Sequence, residues 1–317
     1  MSPFRAGGMR EASDNRKFYL RPDLAVIRMA TGVQLRAGDK EIYVIETDSP
    51  EVVERVLTLL AKGCDRRTLY DSVGEVNRDL TDEVIVQLVS VGVLLDQPIE
   101  PSDAVSRYLA HFVKDGACAS RERFGSVAVV GLGECVQLLG QGIREHGIEV
   151  VTVDTDSLIE HVDDSHFDAI VCIWEQPDLR RVLDVNAVAC RRRLPCLFVD
   201  LSHGQHMTVG PFYVPGEGAC YQCFRQRWRE NTAALEEFDA AETAMLDSGQ
   251  PLPAYGILPA FRYVVVGLAC AELFALLAEH RPLRTLNRAV TVDPDGMKLW
   301  AEPCWQIPWC PTCGNEA

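Results

Sequence analysis

Four cysteines in two Cys-x-x-Cys pairs, Cys220/Cys223 and Cys310/Cys313, are the residues whose types and spacing name a chemistry most directly. Each pair has turn-like surroundings, Gly-Ala-Cys220-Tyr-Gln-Cys223 and Trp-Cys310-Pro-Thr-Cys313-Gly. Four thiolates so spaced suit a closed tetrahedral Zn²⁺ site, which keeps no coordination position for water and so points to structure over catalysis. Such a metal would clip the end of the chain to its middle. A disulfide within each pair, or simply unrelated buried cysteines, are the other readings the spacing leaves open. Cys220 as a nucleophile is disfavoured, because a thiolate bound to zinc is occupied.

A second pattern concerns nucleotides. Gly131 and Gly133 follow the apolar run 127–130, and Asp154 ends the next apolar run. A strand, a tight glycine turn and an acid after the second strand ordinarily seat phosphates on a helix N-terminus and a ribose on the carboxylate. Here the third glycine is replaced by Val136, and Glu134 puts negative charge where backbone amides should meet a phosphate. The surviving glycines are explained by the turn, with nucleotide binding the other reading left open, and Asp154 and Asp156 read equally well as surface acids at a strand end. His203 and His206 follow a later strand without a partner whose spacing compels a catalytic role. Arg225, Arg227 and Arg229 around Trp228 read as a solvated helix face, or as an interface for an acidic partner.

The elements that must position these residues fall into two groups. Apolar runs at 24–29 and 41–46 read as strands about a Gly-rich turn region, 31–38. Ser49-Pro50-Glu51 opens a helix over 52–60, a shorter helix covers 66–73, and a third begins at Thr81-Asp82 with Val84, Leu88 and Val91 at helical spacing, before a wing strand at 93–95. A small sheet with three helices describes a winged-helix module over residues 1–96. Residues 97–125 read as a linker with a helix from 103 to 114. From 126 to 317 strand and helix alternate: strands at 127–130, 149–153, 167–173 and 195–199 with helices between them predict a doubly wound α/β sheet. Then come an apolar segment at 207–214, the first cysteine pair, a charged helix at 224–231, a loop-like acidic stretch to Pro253, a long helix at 259–280 and a strand at 288–293.

Composition bounds the function. With 317 residues and 47% hydrophobic content the chain has material for two domains. A formal net charge of −15 disfavours nucleic acid and anionic membrane surfaces as partners. The start Met1-Ser-Pro-Phe-Arg lacks the basic-then-apolar build of a secretory signal, so the expected compartment is the reducing cytoplasm. Cys172, Cys190 and Cys270 read as small buried hydrophobes. The most membrane-like stretch, 263–278, is short and contains Glu272, which predicts a buried helix.

The run Val209-Gly-Pro-Phe-Tyr-Val-Pro-Gly-Glu-Gly-Ala-Cys-Tyr-Gln-Cys223, with Phe167-Asp-Ala-Ile-Val-Cys172, Asn186-Ala-Val-Ala-Cys190 and Cys310-Pro-Thr-Cys-Gly314, carries a resemblance through nearly the whole chain. The sequence resembles the leader-peptide-binding partner proteins of thiazole/oxazole-modified microcin (TOMM) cyclodehydratases. Their main body is similar to a degenerate ThiF-type adenylating enzyme of the ubiquitin-activating (E1-like) superfamily, a Rossmann-type fold. The N-terminal third resembles the PqqD-like element that receives the leader of a ribosomally synthesised and post-translationally modified peptide (RiPP).

Active adenylating relatives have a glycine-complete fingerprint, an Arg and a Lys against the triphosphate and an Asp-Asn pair after a later strand. Here Val136 replaces a glycine, the usual Asn-Leu-x-Arg-Gln run after Asp154 is missing, and Glu175-Gln-Pro-Asp178 stands at the Asp-Asn position. The resemblance therefore implies a scaffold rather than an ATP-using enzyme. It implies leader binding and presentation of core Cys, Ser and Thr residues to a separate YcaO-type, ATP-dependent cyclodehydratase for azoline formation in antibiotic biosynthesis, and a homodimer. The alternative is an adenylating enzyme acting on a peptide carboxylate. Peptide capture by such a module is strand addition, for which Ile42, Tyr43, Val44 and Ile45 are the candidate edge and Val84, Gln87, Leu88 and Val91 the candidate opposite wall.

Overall fold

The computed structural model describes residues 16–100, 103–112, 125–131, 133–155, 157–158, 162 and 166–314. Asp156 and the end of the expected 103–114 helix lie outside them. The chain divides into two compact units, Met1–Arg121 and Glu122–Ala317.

In the smaller unit the elements are β1 (Tyr19–Leu20), β2 (Ala25–Met29), β3 (Gly32–Ala37), β4 (Glu41–Glu46), α1 (Pro50–Lys62), α2 (Arg66–Val73), α3 (Arg78–Ser90), β5 (Leu94–Leu95) and α4 (Ala104–Leu109). Strands β2, β3 and β4 form an antiparallel meander in that order. The middle strand corrects the expectation of a turn over 31–38. Its glycines bracket a strand instead of replacing one: Gly38 has φ +61 in the turn, and a Cβ on Gly32 would meet the Ile45 carbonyl oxygen at 2.1 Å. Alternation then does the rest, with Val33 and Leu35 turned into a core shared with Val53, Val56 and Leu57 of α1 and Ile85 of α3. The expected wing strand is β5, which pairs antiparallel with β1.

The larger unit comprises β6 (Ser126–Gly131), α5 (Glu134–Glu145), β7 (Glu149–Val153), β8 (Ala169–Trp174), α6 (Leu179–Arg192), β9 (Cys196–Asp200), β10 (Met207–Tyr213), α7 (Tyr221–Asn231), α8 (Leu235–Ser248), α9 (Pro259–Ala278), β11 (Arg288–Asp293) and β12 (Lys298–Pro303). One seven-stranded sheet runs in the order β12-β11-β10-β9-β8-β6-β7. The expected α/β sheet is present as a mixed one: β7, β6, β8 and β9 are parallel, and β10, β11 and β12 continue it antiparallel. Burial on both faces explains why β8 and β9 are continuous apolar runs.

The acidic stretch read as a loop is helix α8. Its first-turn Glu236 and Glu237 complement the helix dipole, and Glu242 and Asp239 are held by Arg225 and Arg229 of α7. Strand β12 was not anticipated, since every residue in it is exposed at the sheet edge. Helix α9 is long and apolar enough to cross a membrane by length and composition, but its inner face packs on α5, β9 and β10. Its buried Glu272 accepts hydrogen bonds from the Arg284 and Thr285 backbone N–H groups, from Thr285 Oγ1 and from Arg281.

Candidate functional site

The four cysteines converge. Cys220 and Cys223 lie at the start of α7, whose first turn is fixed from α6 by the buried Asn186, its Oδ1 accepting from the Tyr221 N–H at 2.8 Å. Asn287 Oδ1 likewise accepts from the Ala219 N–H at 3.0 Å. Cys310 and Cys313 sit in the turn after β12, closed by the Gly314 N–H donating to the Cys310 carbonyl at 2.9 Å. The Sγ separations are 3.8 Å for Cys220–Cys223, 3.7 Å for Cys220–Cys310 and 3.5 Å for Cys223–Cys313. A tetrahedral Zn–S₄ site with bonds of ~2.3 Å has edges of ~3.8 Å. Disulfides need ~2.0 Å between sulfurs, so the paired-disulfide reading does not fit.

All four thiols are buried, and the cluster could hold a metal such as zinc. Hydrogen bonding from Cys220 and Cys223 pulls Cys310 and Cys313 below the usual thiol range, Cys313 to about 7. The neighbouring Cys304 is pushed up to about 12 by burial and stays a thiol. Within the cluster Cys220 and Cys223 are pushed up as well, Cys220 by hydrogen bonds from the sulfurs around it, so without a metal the four thiols share charge unequally. The Ile307 N–H and Gln306 Nε2 point at the Cys223 and Cys313 sulfurs at 3.4 and 3.6 Å, donors that would settle thiolate charge.

Both glycines of the degenerate fingerprint are demanded by the turn. A Cβ on Gly131 would meet the Ile173 carbonyl oxygen at 2.0 Å, and one on Gly133, at φ +105, would meet Glu175 Oε1 at 2.6 Å. Val136 fills the space of the missing glycine against Gly131. Asp154 is exposed at the end of β7, where its backbone carbonyl accepts from Ser157. Glu175 is the group sequence reasoning undervalued and Arg262 the one it missed. Glu175 Oε1 accepts from the Cys135 N–H at 2.8 Å, its Oε2 lies 3.0 Å from Arg262, and Arg262 also pairs with Glu134. Beside them opens a cavity of about 590 Å³.

At the candidate peptide edge, β4 pairs only with β3 among the described residues. Ile42 and Val44 are 45% and 47% exposed, Tyr43 is half-buried and Ile45 belongs to the core. Gln87 on α3 and Val91 just after its end are exposed, but Val84 and Leu88 are each 1% exposed and packed in the core. That is a correction: helical periodicity marks the buried face, and a surface contact falls to its flank. The exposed apolar side chains overlooked on this helix are Val86 and Val89.

At the start of β4, Glu41 accepts from Arg21 at 2.6 Å and from the Tyr43 hydroxyl at 2.7 Å, with His111 Nδ1 at 3.0 Å. Burial and the Glu41 hydrogen bond raise Tyr43, and the Arg21 hydrogen bond holds Glu41 down at about 2. Asp23, Glu41 and His111 are close enough to share a cation, but the buried Arg21 guanidinium already bridges the two carboxylates.

The other singled-out residues have partners within the chain. His203 Nε2 lies 3.4 Å from Asp200, and His206 stacks edge-on against Trp300. Arg225 and Arg229 pair with Glu242 and Asp239, and Arg227 donates through its Nε to the Trp305 carbonyl, so two of the three arginines are neutralised by acids of α8. Cys172, Cys190 and Cys270 are buried, as expected.

No family model matches the sequence, and no curated protein matches it. Its fold is similar to that of a heterocyclase solved in complex with substrate and cofactor, at a TM-score of 0.72 and 20% identity over 95% of this chain and 40% of that one. The heterocyclase TruD matches at 0.71 and 21% over 94% of this chain and 43% of TruD. MccB of E. coli matches at 0.61 and 14%, over 94% of this chain and 97% of MccB. The chain thus spans about two fifths of the heterocyclases' length. At these identities the likeness establishes the fold alone: the α/β body of this chain, with its mixed seven-stranded sheet, resembles the heterocyclase and MccB structures.

Proposed function

We propose that this chain binds the leader of a ribosomally synthesised precursor on β4 and presents the core Cys, Ser or Thr residues to a separate YcaO-type cyclodehydratase. In this reading the smaller unit is a winged-helix, PqqD-like recognition module and the larger a ThiF-like scaffold with structural zinc. The observation that carries it is β4: a strand with one edge unpaired among the described residues and two exposed apolar side chains, Ile42 and Val44. Such an edge invites an added strand, with backbone hydrogen bonds giving affinity and alternate side chains giving specificity. Gln87 on the flank of α3 and Val91 just after its end are the remaining wall contacts.

Support from likeness lies in structures solved with peptide or substrate: MccB, described as a microcin C7 biosynthetic enzyme, with N-formylated MccA, and the heterocyclase with its substrate. Tethering a leader raises the effective concentration of every core position near the partner enzyme, so one site serves many reacting residues. The adenylating alternative is weakened by Glu175, which occupies the turn where a phosphate would sit.

Fluorescence anisotropy of a labelled candidate leader with the full chain, without ATP, tests the reading. Ile42→Asp and Val44→Asp put charge on an exposed edge at little cost to folding and should each weaken binding about tenfold, ~1.4 kcal/mol. Unchanged affinity in both variants would reject β4 as the site.

A further inference from the structure

The turn between β6 and α5 already holds an anion, and the anion belongs to the chain. Glu175 Oε1 accepts from the Cys135 N–H at 2.8 Å, in the first turn of α5, where unpaired amides and the helix dipole favour negative charge. Its other oxygen is 3.0 Å from the Arg262 guanidinium, brought in by α9; the other terminal nitrogen of that guanidinium pairs with Glu134 in the same first turn of α5. Gly133 makes this approach possible, because a Cβ there would stand 2.6 Å from the same carboxylate oxygen. An oxygen anion between a helix N-terminus and an arginine is the arrangement of a bound phosphate. We propose that Glu175 is an intramolecular stand-in for that phosphate, and that it makes the adjoining cleft selective against phosphorylated ligands.

Two further observations distinguish a filled anion site from an ordinary surface ion pair. With its terminal nitrogens on Glu134 and Glu175, the Arg262 Nε is buried without a hydrogen-bond partner among the described residues, donor capacity that a phosphate, with more acceptor oxygens, would draw on. The cavity of about 590 Å³ next to it remains open; Ile173, Trp174, Val182 and Pro251 give it an apolar wall, and its other charged lining residues, Asp178 and Arg181, pair with each other. Glu175 therefore closes the charged end of the cleft without filling its body, which suits an uncharged ligand and repels a polyphosphate. This inference stands apart from leader binding by the smaller unit and can fail or succeed without it.

Calorimetric titration of the full chain with pyrophosphate, ATP and adenosine tests it. Glu175→Ala should bind pyrophosphate and ATP at least about tenfold more tightly than the parent chain, and Glu175→Gln, which keeps an oxygen for the Cys135 N–H but loses the charge, should show a smaller gain. Adding Arg262→Ala to Glu175→Ala should abolish the gain, and adenosine affinity should stay within about twofold throughout. If Glu175→Ala does not fold, the near-isosteric Glu175→Gln carries the test. The proposal is overturned by pyrophosphate affinities equal within about twofold in the parent and in every folded Glu175 variant, by a gain that survives loss of Arg262, or by an equal gain for adenosine. A purely structural ion pair predicts lost stability with no new affinity.

Discussion

Glu41 gathers Arg21, Tyr43 and His111 at the mouth of the candidate peptide edge, and its protonation sets how the smaller unit responds to acid. The hydrogen bond from Arg21 holds its carboxyl at about 2, against 4.5 unperturbed. A carboxyl depressed in the folded state binds its proton more readily in the unfolded chain. Its stabilisation is fully present above about pH 4.5 and is lost as pH falls through about 2. Hydrogen exchange in β3 and β4 should therefore accelerate across that window. Glu41→Gln should flatten the dependence while lowering stability at neutral pH, because Arg21, only 3% exposed, loses one of its two counter-charges. An unchanged pH profile in the variant would show that other carboxyls govern acid unfolding.

At the scale of elements, α8 is the informative case. Its tie to α7 is a buried pair, Arg225–Glu242, next to a more exposed one, Arg229–Asp239. Glu242→Ala strands a mostly buried guanidinium and should cost about 3–5 kcal/mol and open α8 to exchange. Asp239→Ala should leave stability near that of the parent chain, the usual fate of an exposed pair. Equal effects in melting experiments would contradict this assignment of weight. The same helix marks where the sequence stops being legible. Its acids read as solvated loop because the arginines that pair with them come from another helix, a relation no local pattern carries. Strand β3 was hidden by its flanking glycines and β12 by full exposure, whereas the parallel strands, whose burial on both faces writes continuous apolar runs, were plain. At the sites, spacing sufficed for four cysteines because metal geometry constrains it tightly. It could not separate wall from core on α3, where Val84 and Leu88 obey the same period as a binding face would.

For the whole molecule the question is what holds residues about ninety positions apart in one cluster. Cys220 and Cys310 are 90 residues apart in sequence, and the segment between them includes α7, α8, α9, β11 and β12. Fixing the ends of a loop of that length removes unfolded-state entropy worth roughly 4–5 kcal/mol at 25 °C, by the relation used for disulfides. A bound metal also supplies the charge that lets four crowded thiols act as thiolates together. A chelator strong enough to strip zinc should therefore raise amide exchange first around the N-terminus of α7 and in residues 303–314, where the cluster is built, and lower the melting temperature by about 2–4 °C per kcal/mol lost. Cys310→Ser should reproduce the change, with metal falling from one ion per chain to none by elemental analysis. Cys304→Ser should retain the ion, since Cys304 is buried beside the cluster but is not one of its four members. Retention of one zinc by Cys310→Ser, or exchange indifferent to chelation, would mean that apolar packing alone holds the C-terminal turn against α7.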